Sequence, residues 1–111
     1  MKLLRYLNLS DNENIEMLPD SITNLVNLQV LNLRRCRRLK QLPQEMKMLV
    51  NLRHLYIDGC LSLNHMPRRI GRLTSLQKLS TFVVGNSKHS GGLDELHDLN
   101  HLREQLQILN L

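Results

Sequence analysis

Aromatic side chains are nearly missing from this sequence: 111 residues include no tryptophan, one phenylalanine and two tyrosines. The apolar mass is mostly leucine, which points to a repetitive core built from one kind of side chain. No stretch approaches the ~20 apolar residues of a membrane-spanning helix, so no membrane role is expected. The opening Met1-Lys2-Leu3-Leu4-Arg5 has no apolar signal core followed by small residues, so nothing in it directs secretion. A G-x-x-x-x-G-K-[ST] phosphate loop is also missing, which excludes a nucleotide switch of that kind within this sequence. What remains is globular in composition, 41% hydrophobic and 23% charged.

The net charge of +5 is localised. Residues 1–24 set Lys2 and Arg5 against Asp11, Glu13, Glu16 and Asp20, and are acidic. Residues 25–48 set Arg34, Arg35, Arg37, Arg38, Lys40 and Lys47 against Glu45 alone. Residues 49–72 set Arg53, Arg68, Arg69 and Arg72 against Asp58. The basic zone therefore lies mid-chain. It bears on partners and says nothing of fold.

Self-similarity dominates the chain. Leu4, Leu28, Leu52 and Leu76 are spaced by 24 residues, as are Leu7, Leu31, Leu55 and Leu79. Leu9, Leu33 and Ile57 form a third row, which Thr81 breaks. The same spacing runs through Asn12, Cys36 and Cys60, through Pro19, Pro43 and Pro67, and through Ile22, Met46 and Ile70. Alternation at Leu7-Asn8-Leu9 and its equivalents marks a short half-buried strand. Stacked coils would set these strands side by side in a parallel sheet about 4.8 Å apart. The Asn12, Cys36, Cys60 row falls where the chain leaves the strand, and there a small polar or thiol group can satisfy backbone groups inside the coil. The Leu-Pro step closes the turn, because proline fixes φ and disfavours helix in the residue before it. Asp20 or Ser21 is then expected to cap a brief helical return with Ile22, Leu25 and Leu28 inward. The expected fold is an α/β solenoid: a coil stack with a parallel β-sheet on its concave side and short helical or 3-10 returns on its convex side.

The repeats occupy 1–84. Ser80-Thr81-Phe82-Val83-Val84 reads as a longer strand, and 85–92 as a Gly/Ser-rich insertion with nothing to pack. Over 93–111 a further repeat begins: Leu93, Leu96, Leu99 and Leu102 resume the return, and Leu106-Gln107-Ile108 starts a strand. Neither end shows the polar cap that a coil stack needs for solubility, so the expectation is a section of a longer repeat protein.

The consensus L-x-x-L-x-L-x-x-[NC]-x-x-L-x-x-L-P-x-x-I-x-x-L-x-x-L resembles the leucine-rich repeats of plant intracellular immune receptors. The likeness is to the coiled-coil class of nucleotide-binding disease-resistance proteins. It rests on Leu39-Lys40-Gln41-Leu42-Pro43, Gly59-Cys60-Leu61-Ser62-Leu63, Ile70 through Leu79, and Phe82-Val83-Val84-Gly85. The stretch from Leu93-Asp94-Glu95-Leu96 to Asn100-His101-Leu102-Arg103 is similar to the segment after the repeats in that class. Extracellular plant repeats of the same period carry Gly and Ile-Pro where this chain has Glu16 or Lys40 and Leu-Pro. The resemblance thus implies a cytoplasmic address and a defence role for the parent protein.

Side chains directed outward from the strands form a grid on the concave side. Its rows are Tyr6, Val30, His54 and Lys78; Asn8, Asn32, Tyr56 and Ser80; and Ser10, Arg34, Asp58 and Phe82. All three aromatics of the chain fall on it, and aromatics with Arg are common interface anchors. The competing reading is that aromatics simply prefer strands. The run Arg34-Arg35-Cys36-Arg37-Arg38 reads as a solvated loop or as a surface for an acidic protein. Nucleic acid is disfavoured, because no stacking aromatics are interleaved with the arginines. Cys36 and Cys60 share a rung, a separation that would permit a disulfide, but the lack of a secretion signal favours buried free thiols.

His97-Asp98-Leu99-Asn100-His101 matches helical zinc-protease spacing only with Asp in place of Glu, and the leucines already explain the segment. Asn8-Leu9-Ser10 fits a glycosylation triplet but lies within a strand. No nucleophile and base arrangement can be defended, so neither catalysis nor a cofactor or metal is expected. The function read from the chain is a protein-interaction module. Its partner would be a pathogen-derived protein, or the nucleotide-binding domain of the parent receptor, which it would hold inactive. The alternatives are a structural remnant of a truncated gene, or a generic scaffold.

Overall fold

The computed structural model describes residues 3–84, 90–91, 95, 99, 102 and 107–110. Four strands form one parallel sheet: β1 (Tyr6–Asn8), β2 (Val30–Asn32), β3 (His54–Tyr56) and β5 (Lys78–Leu79). Its register is the sequence period, with Leu7 opposite Leu31, Leu31 opposite Leu55, and Leu55 opposite Leu79. The coils return through 3-10 turns at Asp20–Asn24, Gln44–Met48 and Ile70–Arg72. Parallel strands joined by 3-10 returns are thus the observed architecture.

Main-chain bonding explains why the strands can be so short. Leu9 N–H donates to Asn32 O at 2.8 Å, and Leu33 N–H to Tyr56 O at 2.8 Å, so the next coil repeats the bond. Beyond the strand, Asp11 N–H donates to Arg34 O and Arg35 N–H to Asp58 O. The thiols extend this ladder inside the coil. Cys36 Sγ donates to Leu9 O at 3.1 Å, and Cys60 Sγ to Leu33 O at 3.0 Å. Both cysteines are buried and free, each occupied by a carbonyl of the preceding coil.

The core runs between sheet and returns. Leu28, Leu31, Leu33, Leu52 and Leu55 are fully buried, as are Met46 and Ile70 on the returns. In the first coil the same rows are only half-buried, at Leu4, Leu7, Leu9, Ile15 and Leu25. Along these rows a leucine is sealed only when a coil lies on each side of it, although Leu18 and Ile22 of the first coil are already buried.

The expected cap at Asp20 or Ser21 does not form. Pro19 sits at the cap position with no side-chain bond, and its carbonyl already accepts Ile22 N–H at 3.1 Å. A turn this tight closes on the main chain, and Thr23 Oγ1 donates back to Asp20 O. A left-handed residue recurs instead after each of the first three strands of the sheet, at Asp11, Arg35 and Gly59, with φ of 61°, 59° and 78°. Arg35 packs over Gly59, where an added Cβ would stand 2.9 Å from its Cγ. Glycine suits that rung for both reasons.

The fourth coil departs from the others at Ser80. The expected strand from Ser80 to Val84 begins one residue later, as β6 (Thr81–Val84), and it leaves the four-stranded sheet to pair in parallel with β8 (Gln107–Asn110). Thr81 lies opposite Gln107, only two residues beyond the 24-residue period. Of the Gly/Ser-rich stretch the described residues are Ser90 and Gly91. Its end packs, contrary to expectation: β7 (Ser90–Gly91) pairs antiparallel with β4 (Met66–Pro67). Leu99 is buried and Leu102 half-buried against the core, as the sequence pattern requires. Leu93, Leu96, Leu106 and residues 85–89 lie outside the described residues.

Two measurements check this account. Leu55→Ala should cost about 2–5 kcal/mol in urea unfolding, and Leu7→Ala clearly less, because Leu7 is only half-buried. Burial pushes the Cys60 thiol up to about 11, so its folded state holds the proton at pH values where an unfolded thiol ionises. Its contribution is complete below the ordinary thiol value and is lost as pH rises through about 11. Because both thiols are buried, they should resist a disulfide reagent at pH 8 in the folded chain and react fully in denaturant.

Candidate functional site: the outer face of the sheet

Parallel 24-residue register places Tyr6, Val30, His54 and Lys78 in one row across the sheet. Tyr6 is exposed, and the other three are half-buried. Beside them Tyr56 carries the centre of the face. The Arg34 guanidinium stacks on its ring, 4.0 Å from the centroid. Arg34 Nε donates to Asp58 Oδ1 at 3.0 Å, so the stack is held at both ends. The His54 ring lies 5.9 Å from that of Tyr56, tilted by 52°. Ring, guanidinium and carboxylate from two coils thus make one fixed cluster, a low-entropy anchor of the kind interfaces use.

Other grid residues serve the scaffold. Asn8 Oδ1 accepts Ser10 N–H at 2.9 Å, and Asn32 Oδ1 accepts Arg34 N–H at 3.0 Å. Asn32 is buried, so its amide is a strand-end brace more than a contact. Ser80 Oγ accepts both Ile57 N–H at 2.8 Å and Asp58 N–H at 3.1 Å. It replaces the main-chain carbonyl that coils one and two use at this point.

Phe82 is misplaced by the sequence reading. It is fully buried, with Thr81 and Val83 also buried beside it. The break at Ser80 takes this strand out of the row, so counting by 24 residues no longer gives the outer side. The outward cluster is therefore Tyr6, Val30, Arg34, His54, Tyr56, Asp58 and Lys78.

The arginine run is mostly neutralised within the molecule. Arg35 grips Asp11 through two bonds, from Nε to Oδ1 and from Nη2 to Oδ2, the latter at 2.9 Å. Glu16 meets Lys40 at 3.0 Å and Arg38 at 3.8 Å. The acids of the first coil face the bases of the second, one period apart. This pairing was available in the sequence as Asp11 with Arg35 and Glu16 with Lys40, but position alone did not tell that the side chains meet.

Among the described residues no group of His, Cys, Asp and Glu side chains could hold a metal ion. His97, Asp98 and His101 lie outside those residues. No helix among the described residues is long and apolar enough to cross a membrane.

The model of the leucine-rich repeat region family matches residues 1–110. The chain belongs to this family. A leucine-rich repeat protein of Leptospira interrogans has a similar structure, with a TM-score of 0.75 and 35% sequence identity over 99% of this chain. The match covers 25% of that protein, so this chain spans about a quarter of its length. No curated protein matches the chain. Leucine-rich repeat domains generally mediate protein–protein interaction, and a sheet face with a fixed Arg34–Tyr56 cluster fits a protein-interaction scaffold.

The cross-coil pairs carry a pH signature. The Arg35 hydrogen bond holds the Asp11 carboxyl below its ordinary value, and the Lys40 bond does the same for Glu16. Their contribution is present above the unfolded carboxylate value and is lost as pH falls through the lowered ones. The leucine-rich chain should lose thermal stability as pH drops below about 4, modestly because the pairs are exposed. The double variant Asp11→Asn with Glu16→Gln should flatten that drop in a series of melting curves.

Proposed function

We propose that this leucine-rich chain is the protein-interaction module of an intracellular plant immune receptor. Its outer sheet face would take either a pathogen-derived protein or the receptor's own nucleotide-binding domain. The Arg34–Tyr56–Asp58 cluster carries the reading, because its guanidinium lies 4.0 Å over the ring and is held by Asp58 before any partner arrives. The motifs Leu39-Lys40-Gln41-Leu42-Pro43 and Phe82-Val83-Val84-Gly85 support the plant receptor class. An intracellular address is supported by two thiols bonded to carbonyls and not to each other. The role needs no catalytic step and no cofactor. Its mechanism is differential contact with two receptor states, since a ligand shifts an equilibrium only by binding one state better.

The bacterial origin of the structural relative favours a second reading, a leucine-rich scaffold outside plant defence. One experiment separates the two. Purified chain is tested for binding to a recombinant plant nucleotide-binding switch domain and, in parallel, in a pull-down from plant extract. Tyr56→Ala with Arg34→Ala should weaken capture by about tenfold or more, while Val50→Ser, on the return side, should leave it unchanged. Capture that survives the sheet-face pair but falls with Val50→Ser defeats the outer-face assignment. No binding to the switch domain in any form, with extract capture intact, favours the broader scaffold.

A further inference from the structure

A group of bases lies on the return side, away from the arginine run. A cleft of about 380 Å³ opens between the second and third returns, lined by Gln44, Glu45, Lys47, Arg68 and Arg69. Lys47 reaches Glu45 at 3.6 Å. Among the described residues, neither Arg68 nor Arg69 has a carboxylate within ion-pair distance. Among the described residues the lining thus carries three cationic side chains and one carboxylate.

The turn that presents the two arginines is held in shape. Arg69 is left-handed, with φ of 65°. Glu95 accepts the N–H of Arg69 at 2.9 Å and that of Gly71 at 3.0 Å. That carboxylate is spent on main-chain donors and does not line the cleft.

We propose that this cleft binds a phosphorylated side chain of a protein partner, with the phosphate held by Arg68, Arg69 and Lys47. The excess of two positive charges matches the roughly −1.5 to −2 of a phosphate monoester. Guanidinium forks suit phosphate oxygens geometrically. A carboxylate ligand would bring half that charge into a cleft that already holds Glu45. No aromatic lines the cleft for base stacking, which sets nucleic acid aside. The site lies on other elements than the outer sheet cluster and does not rest on the function proposed for that face.

Calorimetric titration of the full chain at low ionic strength tests the proposal. Three probes are compared: a short phosphoserine peptide, the same peptide unphosphorylated, and inorganic phosphate. The phosphopeptide should bind, the unphosphorylated form should not, and inorganic phosphate should bind more weakly than the phosphopeptide. Arg68→Gln with Arg69→Gln should weaken the phosphopeptide about tenfold. Glu45→Gln should tighten it severalfold, a gain that misfolding cannot produce. Equal binding of both peptides, or affinity unchanged by the arginine pair, overturns the site. Inorganic phosphate binding as tightly as the phosphopeptide overturns the protein source.

Discussion

A strand of three residues cannot satisfy its own backbone, and each strand here depends on the coil beside it. Leu33 N–H finds Tyr56 O, Val30 N–H finds Arg5 O, and Cys36 Sγ finds Leu9 O. These bonds exist only if coils stack in register, and across the four-stranded sheet that register comes from coils of one length. The 24-residue period is therefore a geometric condition on hydrogen bonding as much as a pattern of leucines. Burial follows from it. Leu31 and Leu55, flanked on both sides, are fully buried, whereas Leu7 at the first strand is not.

Rows that face inward were legible because burial restricts them to a few side chains. Leucine at the strand, cysteine at the turn and proline before the return each answer one local demand, so each recurs. The outward rows were legible by position only. Counting by the period located Tyr6, His54 and Tyr56 correctly, but it could not show that Asn32 folds its amide back onto Arg34 N–H. Nor could it show the Arg34 stack, since that depends on rotamers and on Asp58 in the next coil. The left-handed row was half-hidden for a different reason. Glycine marks it only at Gly59, while Asp11 and Arg35 occupy the same conformation, which local preference disfavours in Arg35.

Charge follows the same division. A cluster of like charges in sequence invites the idea of an external partner, yet the stack brings residues 24 apart together before residues next to each other. Asp11 then lies by Arg35, and Glu16 by Lys40. The unusual composition of the first two coils, acidic then basic, becomes a contact between neighbours. What matters for recognition is the charge left over after stacking. Part of that surplus sits at Arg68 and Arg69, in a stretch with no comparable run.

Ser80 shows how one side chain can end a sheet. In coils two and three a strand-end carbonyl, Asn32 O or Tyr56 O, accepts the N–H of the preceding coil, but here the serine hydroxyl accepts both Ile57 and Asp58 N–H groups. With that carbonyl no longer required, the following strand is free to turn toward β8. Thr81 then no longer needs to be leucine to fill the row. It is buried all the same, and its hydroxyl has no hydrogen-bond partner among the described residues. A cost of about 1–3 kcal/mol is typical for such a group. Phe82 and Val83, buried beside it, add large apolar area that offsets this cost. The same turn removes the third aromatic from the outer face, so that face ends at Lys78. Its recognition chemistry is concentrated on two coils, where Arg34, Tyr56 and Asp58 meet.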